Sequence, residues 1–266
     1  MSYEPNEIKS PLYFAPPHDS LELCSRLDLL IGRSLAELSI LAKVASCEHK
    51  GFAGQLLELF LGAHAHNLSC PDFVNLGIEL KSLPISSDFK AQESTFICSA
   101  DLSPERYLPF VQSALYHKMK HMLFVLLHAP RNLPLSERRI LGYFFFKPEG
   151  KTLETINADY NEFCELIFAG EARNITGALG NIIQMRPKAA NSQIVSTIRD
   201  NQGQKSYIGP KAYYLRTNFT NTLLTQFAAE QGIDEIYLDT LKSLELRASF
   251  WCLSDFCLCN LDKDAI

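Results

Sequence analysis

Two carboxylates and a lysine stand at a spacing that constrains the local fold: Asp72, then Glu79, Leu80 and Lys81, in the pattern D-x₆-E-x-K. In a strand, successive side chains point to opposite faces, so Glu79 and Lys81 are predicted to share one face while Ile78 and Leu80 enter a core from the other. Asp72 is expected to reach the same point from the start of the preceding turn. Hard oxygen ligands suit Mg²⁺, and a lysine beside them can orient or activate an attacking water. The pattern therefore fits a metal-dependent site that cuts phosphodiesters.

The same spacing also fits an ordinary edge strand with two solvated charges and one aspartate in a loop. Short strings of this kind occur by chance in many proteins. The motif alone therefore leaves both interpretations open, and the rest of the chain has to separate them.

The composition allows a sizeable core and shows no basic excess. The chain has 266 residues, 47% of them hydrophobic, which suffices for one large domain or two small ones. Its formal net charge of -5 argues against a general nucleic-acid coat protein, although a local basic patch can still dominate the field at one surface. The first residues show no signal-peptide pattern, and the longest apolar run is far below the ~20 residues that span a bilayer. We therefore expect a cytoplasmic protein that does not enter a membrane.

Periodicity and start signals predict helices mixed with strands. Two helices are predicted after residue 17, and a capping box at Ser34 to Glu37 marks the start of the second. An apolar stripe predicts a third helix at residues 51–63. The remaining elements read as strands near residues 79–83, ended by Pro84, and at 95–98, 122–127 and 141–146, followed by a helix at 158–168. This mixture predicts an α/β (α+β) fold with a central mixed sheet flanked by helices.

Basic residues and tyrosines collect between residues 181 and 220. This segment contains one acidic residue, Asp200, and six basic residues with three tyrosines among them. The basic residues are Arg186, Lys188, Arg199, Lys205, Lys211 and Arg216, and the tyrosines are Tyr207, Tyr213 and Tyr214. Such a segment in an acidic protein fits a surface that binds a polyanion. It fits a solvated surface with ordinary counter-ions equally well.

Several common catalytic motifs are absent from the sequence. It contains no G-x-x-x-x-G-K-[ST] phosphate loop, no dinucleotide fingerprint, no H-E-x-x-H and no G-x-S-x-G. The sequence therefore argues against nucleotide hydrolysis by a phosphate loop and against zinc proteolysis.

Five strings, in order and at fitting spacing, together resemble the MutH family of DNA mismatch-repair endonucleases. The resemblance covers roughly residues 34–224, and its most specific string is Arg-Pro-Lys-Ala-Ala-Asn at 186–191. The other strings are Lys-Gly-Phe-Ala-Gly-Gln-Leu-Leu-Glu at 50–58 with Leu-Gly-Ala at 61–63, the metal motif at 72–81, His-Lys-Met-Lys at 117–120, and Tyr-Tyr-Leu-Arg-Thr-Asn-Phe-Thr at 213–220.

The resemblance implies a restriction-endonuclease-like fold in which two arms form a cleft for DNA. It implies a Mg²⁺-dependent enzyme of methyl-directed mismatch repair that recognises GATC in double-stranded DNA and nicks the strand lacking adenine methylation. It also implies activation by a MutL-type protein. We expect the protein to be a monomer.

The resemblance assigns roles around the motif. Asp72 and Glu79 match the metal-binding carboxylates, and Lys81 matches the catalytic lysine. Glu58 matches an additional acidic residue at the metal, although by itself it would pass for an ordinary solvated helix glutamate. Lys118 matches a lysine that assists cleavage or contacts phosphate.

Five residues are expected to approach DNA. Lys50, Arg186 and Tyr214 match family positions of this kind, and Tyr214 is expected to help sense adenine methylation. Lys188 and Lys211 join them from the basic segment.

The predicted organisation is an endonuclease domain at residues 1–224 and a C-terminal helical extension of unknown role at 225–266. Two alternatives stay open. One is a stand-alone type II restriction endonuclease that cuts GATC without MutL, and the other is a DNA-binding module that has lost catalysis.

Overall fold

Six α-helices and eight strands form the part of the chain that this computed structural model describes, namely residues 15–45, 49, 51–63, 69–188 and 195–233. None of the helices described there is both long and apolar enough to cross a bilayer. In chain order the elements are α1 (Ser20–Asp28), α2 (Leu35–Ala42), α3 (Phe52–Leu61), β1 (Glu79–Ile85), β2 (Thr95–Ser99), α4 (Ala114–Met119), β3 (Met122–His128), β4 (Arg139–Phe146), α5 (Gly150–Phe168), β5 (Ile183–Pro187), β6 (Ser196–Arg199), β7 (Lys205–Ile208), β8 (Lys211–Leu215) and α6 (Thr217–Glu230).

The three N-terminal helices form one layer of the fold. The predicted capping box starts α2, since the Ser34 hydroxyl accepts the Glu37 N–H and the Glu37 carboxylate accepts the Ser34 N–H. The helix predicted at residues 51–63 is confirmed as α3, which buries Phe52 and Phe60. These helices pack their apolar faces against the central sheet.

The central sheet has the strand order β1-β3-β4, with β1 parallel and β4 antiparallel to β3. This confirms the predicted mixed sheet. β3 is buried along its whole length: Leu123 and Val125 face the N-terminal helices, and Phe124 and Leu126 face a second core. The sheet therefore lies between two apolar layers.

The prediction that β1 ends before Pro84 is wrong, because the strand continues through Pro84 to Ile85. Pro84 is aligned with Leu127 of β3. Among the described residues, β3 is the one strand that neighbours β1 in this sheet, so β1 is an edge strand. Proline is tolerated on an edge strand, where its missing N–H faces no neighbouring strand.

A second sheet, of order β2-β8-β5, is antiparallel and packs with α5 and α6 on the other side of the central sheet. β6 and β7 form a separate hairpin. α5 starts at Gly150, eight residues before the predicted start at residue 158. The prediction missed the first half of the helix because this half is mostly polar and buries only Ile156. Apolar periodicity could not reveal that half.

α6 crosses the predicted boundary at residue 224. It continues to Glu230 and places Phe227 in the core of the second layer, where the rings of Phe227 and Phe144 stack at 5.2 Å. Residues from 234 onward lie outside the described part of the chain, so the C-terminal helical extension stays a prediction.

Candidate active site

The D-x₆-E-x-K motif folds back on itself at the start of β1. Phe73 and Ile78 form an antiparallel bridge, and the turn between them uses Gly77 at a φ of 67°, a backbone conformation that favours glycine. The turn returns Asp72 to β1, where its Oδ2 accepts the Leu80 N–H at 2.8 Å. The six residues between Asp72 and Glu79 are therefore the number needed to form this turn and bring Asp72 back beside β1.

The Glu79 carboxylate binds two ammonium groups. Lys81 Nζ lies 2.6 Å from Glu79 Oε1, so the two side chains share a face of β1 as predicted. Lys118, in the last turn of α4, donates to both Glu79 oxygens at 3.0 and 2.8 Å. Glu79 is 1% exposed, Lys118 7% and Asp72 7%. The structure thus brings four of the predicted site residues together in a place largely closed to water.

The buried position of Asp72 changes its acidity. Burial, reinforced by the negative charge of Glu79, raises the pKa of Asp72 from 3.8 to about 6. The Lys81 and Lys118 charges and the Leu80 N–H act in the opposite direction and only partly offset this rise in pKa. Ionised Asp72 therefore gains from any further positive charge placed beside it.

The donor chemistry of this pair fits a hard divalent cation such as Mg²⁺. Two carboxylates meet in a buried place, and a divalent cation relieves the repulsion between them. Among the described residues, no three histidine, cysteine or acidic side chains form a group that could hold a metal ion. Glu58 is half-buried on α3, which packs against β1. Its part as a third ligand stays a prediction.

Aromatic and cationic side chains continue from Lys81 across the second sheet. The Phe96 ring, 37% exposed, lies 5.9 Å from Lys81 Nζ and 5.4 Å from Lys188 Nζ. Phe96 meets Tyr214 edge to face at 5.6 Å, and the Arg186 guanidinium lies 5.8 Å from the Tyr214 ring. We call Phe96, Lys188, Tyr214 and Arg186 the aromatic-basic face. In duplex DNA such rings can contact thymine methyl groups or insert between base steps, and such cations bind phosphates.

One predicted DNA-binding residue, Lys211, does not add to this face. Lys211 is 8% exposed, and its ammonium donates to the Ile175 carbonyl, which contradicts its predicted place on a DNA-binding surface. Burial also lowers the pKa of Lys211. Charge counting along the segment missed this because it takes no account of burial. Lys50 lies outside the described residues.

Other parts of the basic segment have structural partners as well. Arg199 forms an ion pair with Glu105 at 2.6 Å, and Arg216 donates to three backbone carbonyls. Tyr213 is buried beside Tyr160 and other rings of the second core. The segment is therefore part scaffold and part surface.

Sequence reasoning missed two residues of this region, Phe96 and Ser94. The alternation along β2 could have indicated Phe96, because Thr95 and Ile97 point inward and the large ring between them is left on the outside. Ser94 gave no such sign, because its hydroxyl contacts Gln184, 90 positions away.

Comparison with known proteins agrees with this geometry. The family model of the DNA mismatch repair enzyme MutH matches residues 61–159. A DNA mismatch repair protein MutH of Shewanella baltica is 34% identical over 215 residues, which cover 79% of this chain and 96% of the relative. The MutH proteins of Serratia proteamaculans and Yersinia enterocolitica are 36% and 35% identical, over 79% and 80% of this chain and 94% and 95% of their own length. The chain therefore belongs to the MutH family of DNA mismatch repair enzymes.

Proposed function

We propose that this protein is a Mg²⁺-dependent DNA endonuclease of mismatch repair that recognises GATC and nicks the strand lacking adenine methylation. Membership of the MutH family supports the endonuclease activity. The observation that carries the proposal is the convergence of Asp72, Glu79, Lys81 and Lys118 next to the aromatic-basic face.

Asp72 and Glu79 are the residues that would hold Mg²⁺, and the ion would supply Lewis acidity and an activated water. Lys81 and Lys118 place two positive charges where negative charge develops on the phosphate during cleavage. The burial of Lys118 fixes its ammonium and excludes competing water. Charges fixed before the reaction stabilise the transition state without further reorganisation.

The aromatic-basic face supplies groups suited to reading DNA. The exposed Arg186 can donate two hydrogen bonds to a guanine edge, the commonest specific contact in the major groove. The Tyr214 hydroxyl is a protonated phenol at neutral pH and can donate or accept, and burial raises its pKa further. A methyl group on the adenine amino edge would clash with such a contact or remove a hydrogen bond. Lys188 suits a phosphate in a cleft between two arms of the fold.

The family role supports the remaining features of the proposal. The partners are double-stranded DNA with unmethylated or hemimethylated GATC and a MutL-type activator. The protein acts in the cytoplasm as a monomer.

The deciding experiment is cleavage of unmethylated, hemimethylated and fully methylated GATC duplexes, with and without MutL. Nicks should appear in unmethylated strands only, require Mg²⁺ and increase with MutL. Asp72→Asn should abolish them, whereas Lys90→Ala, an exposed lysine in the β1–β2 turn, should not. Equal cutting of all three duplexes contradicts the proposal. Rapid double-strand breakage without MutL would instead indicate a restriction enzyme, and no cutting at all a DNA-binding module.

A further inference from the structure

The hydroxyl of Ser94 is a common acceptor for two side chains of β5. Gln184 Nε2 and Arg186 Nη1 each lie 2.9 Å from Ser94 Oγ. Ser94 directly precedes β2, and the register of the second sheet aligns Gln184 with Tyr214. One hydroxyl therefore fixes an amide and a guanidinium beside the same tyrosine.

The chemistry of a hydroxyl limits what else Ser94 can do. Its two lone pairs are both taken, and no hydrogen bond of its own proton is found among the described residues. A hydroxyl in this state can act only as a donor toward a newcomer.

The loop before β5 restricts the same two side chains from another side. A Cβ atom on Gly177 would lie 3.3 Å from Gln184 Oε1, which is tighter than ordinary contact, and 3.4 Å from Arg186 Cγ, which is an ordinary contact distance. Arg216 holds this loop in place through hydrogen bonds to the Gly177, Ala178 and Leu179 carbonyls at 2.9, 2.7 and 2.8 Å. A methyl group at residue 177 would therefore require Gln184 Oε1 to shift by a few tenths of an ångström.

Together these contacts leave the long Arg186 side chain little conformational freedom. Arginine loses much rotamer entropy when it is fixed by a ligand, and a side chain fixed beforehand avoids that loss on binding. A group held in advance also rejects a wrong partner more strongly, because it cannot adapt to it.

We propose that Ser94 is a positioning residue for base discrimination, which acts by holding the exposed Arg186, together with the buried Gln184, in one fixed arrangement for contact with DNA. This inference rests on the proposed function, because it takes Arg186 to be a DNA-reading residue. Ser94 lies outside the Asp72–Glu79 metal pair, so its removal should alter discrimination without altering metal binding.

The test compares Ser94→Ala, Ser94→Thr and the control Ser25→Ala, whose hydroxyl donates to a carbonyl within α1. The measurement is kcat/KM on a GATC duplex and on a duplex with one changed base. Ser94→Ala should lower the ratio of these values about tenfold, the effect of one hydrogen bond to a charged group. Ser94→Thr, which keeps the hydroxyl, should restore the ratio, and Mg²⁺ affinity should be equal in all variants.

A second variant tests the same arrangement from the loop side. Gly177→Ala should also lower the discrimination ratio, because the new methyl group pushes the Gln184 amide away from its place beside Ser94 without removing it. If Ser94→Ala does not fold, Ser94→Cys replaces it, since a thiol keeps the shape but is a weak acceptor. In that comparison the cysteine variant should lose discrimination and the threonine variant should keep it.

Two results separate the inference from the proposed function. If Ser94→Ala keeps the full discrimination ratio while Arg186→Ala loses it, the positioning role is overturned and the endonuclease proposal stands. If the unaltered protein does not cut GATC duplexes, the proposed function fails and the inference fails with it.

Discussion

Lys118 Nζ lies 2.8 Å from Glu79 Oε2, although 39 positions separate the two residues in the chain. The Ser113 hydroxyl caps the start of α4, and the last turn of this helix directs Lys118 toward β1. β3 follows and pairs in parallel with β1, aligning Met122 with Glu79. The strand pairing therefore sets the distance between the two charges.

Lys118→Ala should slow cleavage strongly and destabilise the fold moderately. It removes one of two cations beside the phosphate, so we expect single-turnover rates to fall about 10²- to 10³-fold. Glu79 keeps Lys81, so the free energy of unfolding should fall by only about 1–3 kcal/mol, less than for a buried charge with no partner left. Urea unfolding measures the second quantity. Lys90→Ala should change neither, and unchanged cleavage by Lys118→Ala would contradict a role of this ammonium.

Asp72→Asn should stabilise the protein in the absence of divalent cations. Folding raises the Asp72 pKa from 3.8 to about 6, so its stability contribution is fully present below the lower value and is lost as the pH rises through the higher one. Asparagine does not ionise and can still accept the Leu80 N–H. The variant should therefore be more stable than the unaltered protein by about 1–3 kcal/mol above pH 6, with no such gain below about pH 4.

Thermal unfolding in a chelator, at about pH 4 and about pH 7.5, measures this difference. Added Mg²⁺ should then stabilise the unaltered protein and leave Asp72→Asn unchanged, because ligands stabilise only the state that binds them. A variant that is less stable than the unaltered protein near neutral pH would show that the Asp72 charge contributes to folding rather than opposing it.

Local periodicity made much of the fold predictable. The alternation of Glu79 and Lys81 and the capping box at Ser34 depend on neighbours within a few positions, and both are present in the structure. Pro84 was misread because its tolerance depends on the edge position of β1, which is a property of the whole sheet.

The site was harder to predict than the fold. The closeness of Lys118 to Glu79 came from a family resemblance, since no local pattern links residues so far apart. Lys211 was misplaced because a charge count does not show which lysine lies in the interior. Phe96 was overlooked because a single outward ring in a strand has no meaning until Lys81 and Lys188 are seen beside it.

Phe96→Ala should weaken DNA binding without affecting the metal site. The ring lies beside two ammonium groups and Tyr214, and loss of the apolar contact of one phenylalanine ring corresponds to about 1.5–3 kcal/mol. Binding of a GATC duplex in Ca²⁺ should therefore weaken by about tenfold or more, and Phe96→Tyr should retain most of the affinity. Phe168→Ala, which removes an exposed ring that meets Tyr107 edge to face, serves as the matched control and should bind normally.

Lys188→Ala and Lys211→Met should differ in how salt affects DNA binding. Lys188 is exposed and its ammonium donates to the Ser99 hydroxyl at 2.9 Å, within reach of a phosphate at the aromatic-basic face. Each phosphate contact adds about 0.9 to the slope of log affinity against log salt for duplex DNA, so Lys188→Ala should reduce the slope by about that amount.

Lys211 donates to the Ile175 carbonyl inside the protein, so Lys211→Met should leave the slope unchanged and instead lower the free energy of unfolding by about 1–2 kcal/mol. Titrations of a GATC duplex at several salt concentrations measure both slopes, and a smaller slope in Lys211→Met would mean that this lysine leaves the interior to bind DNA.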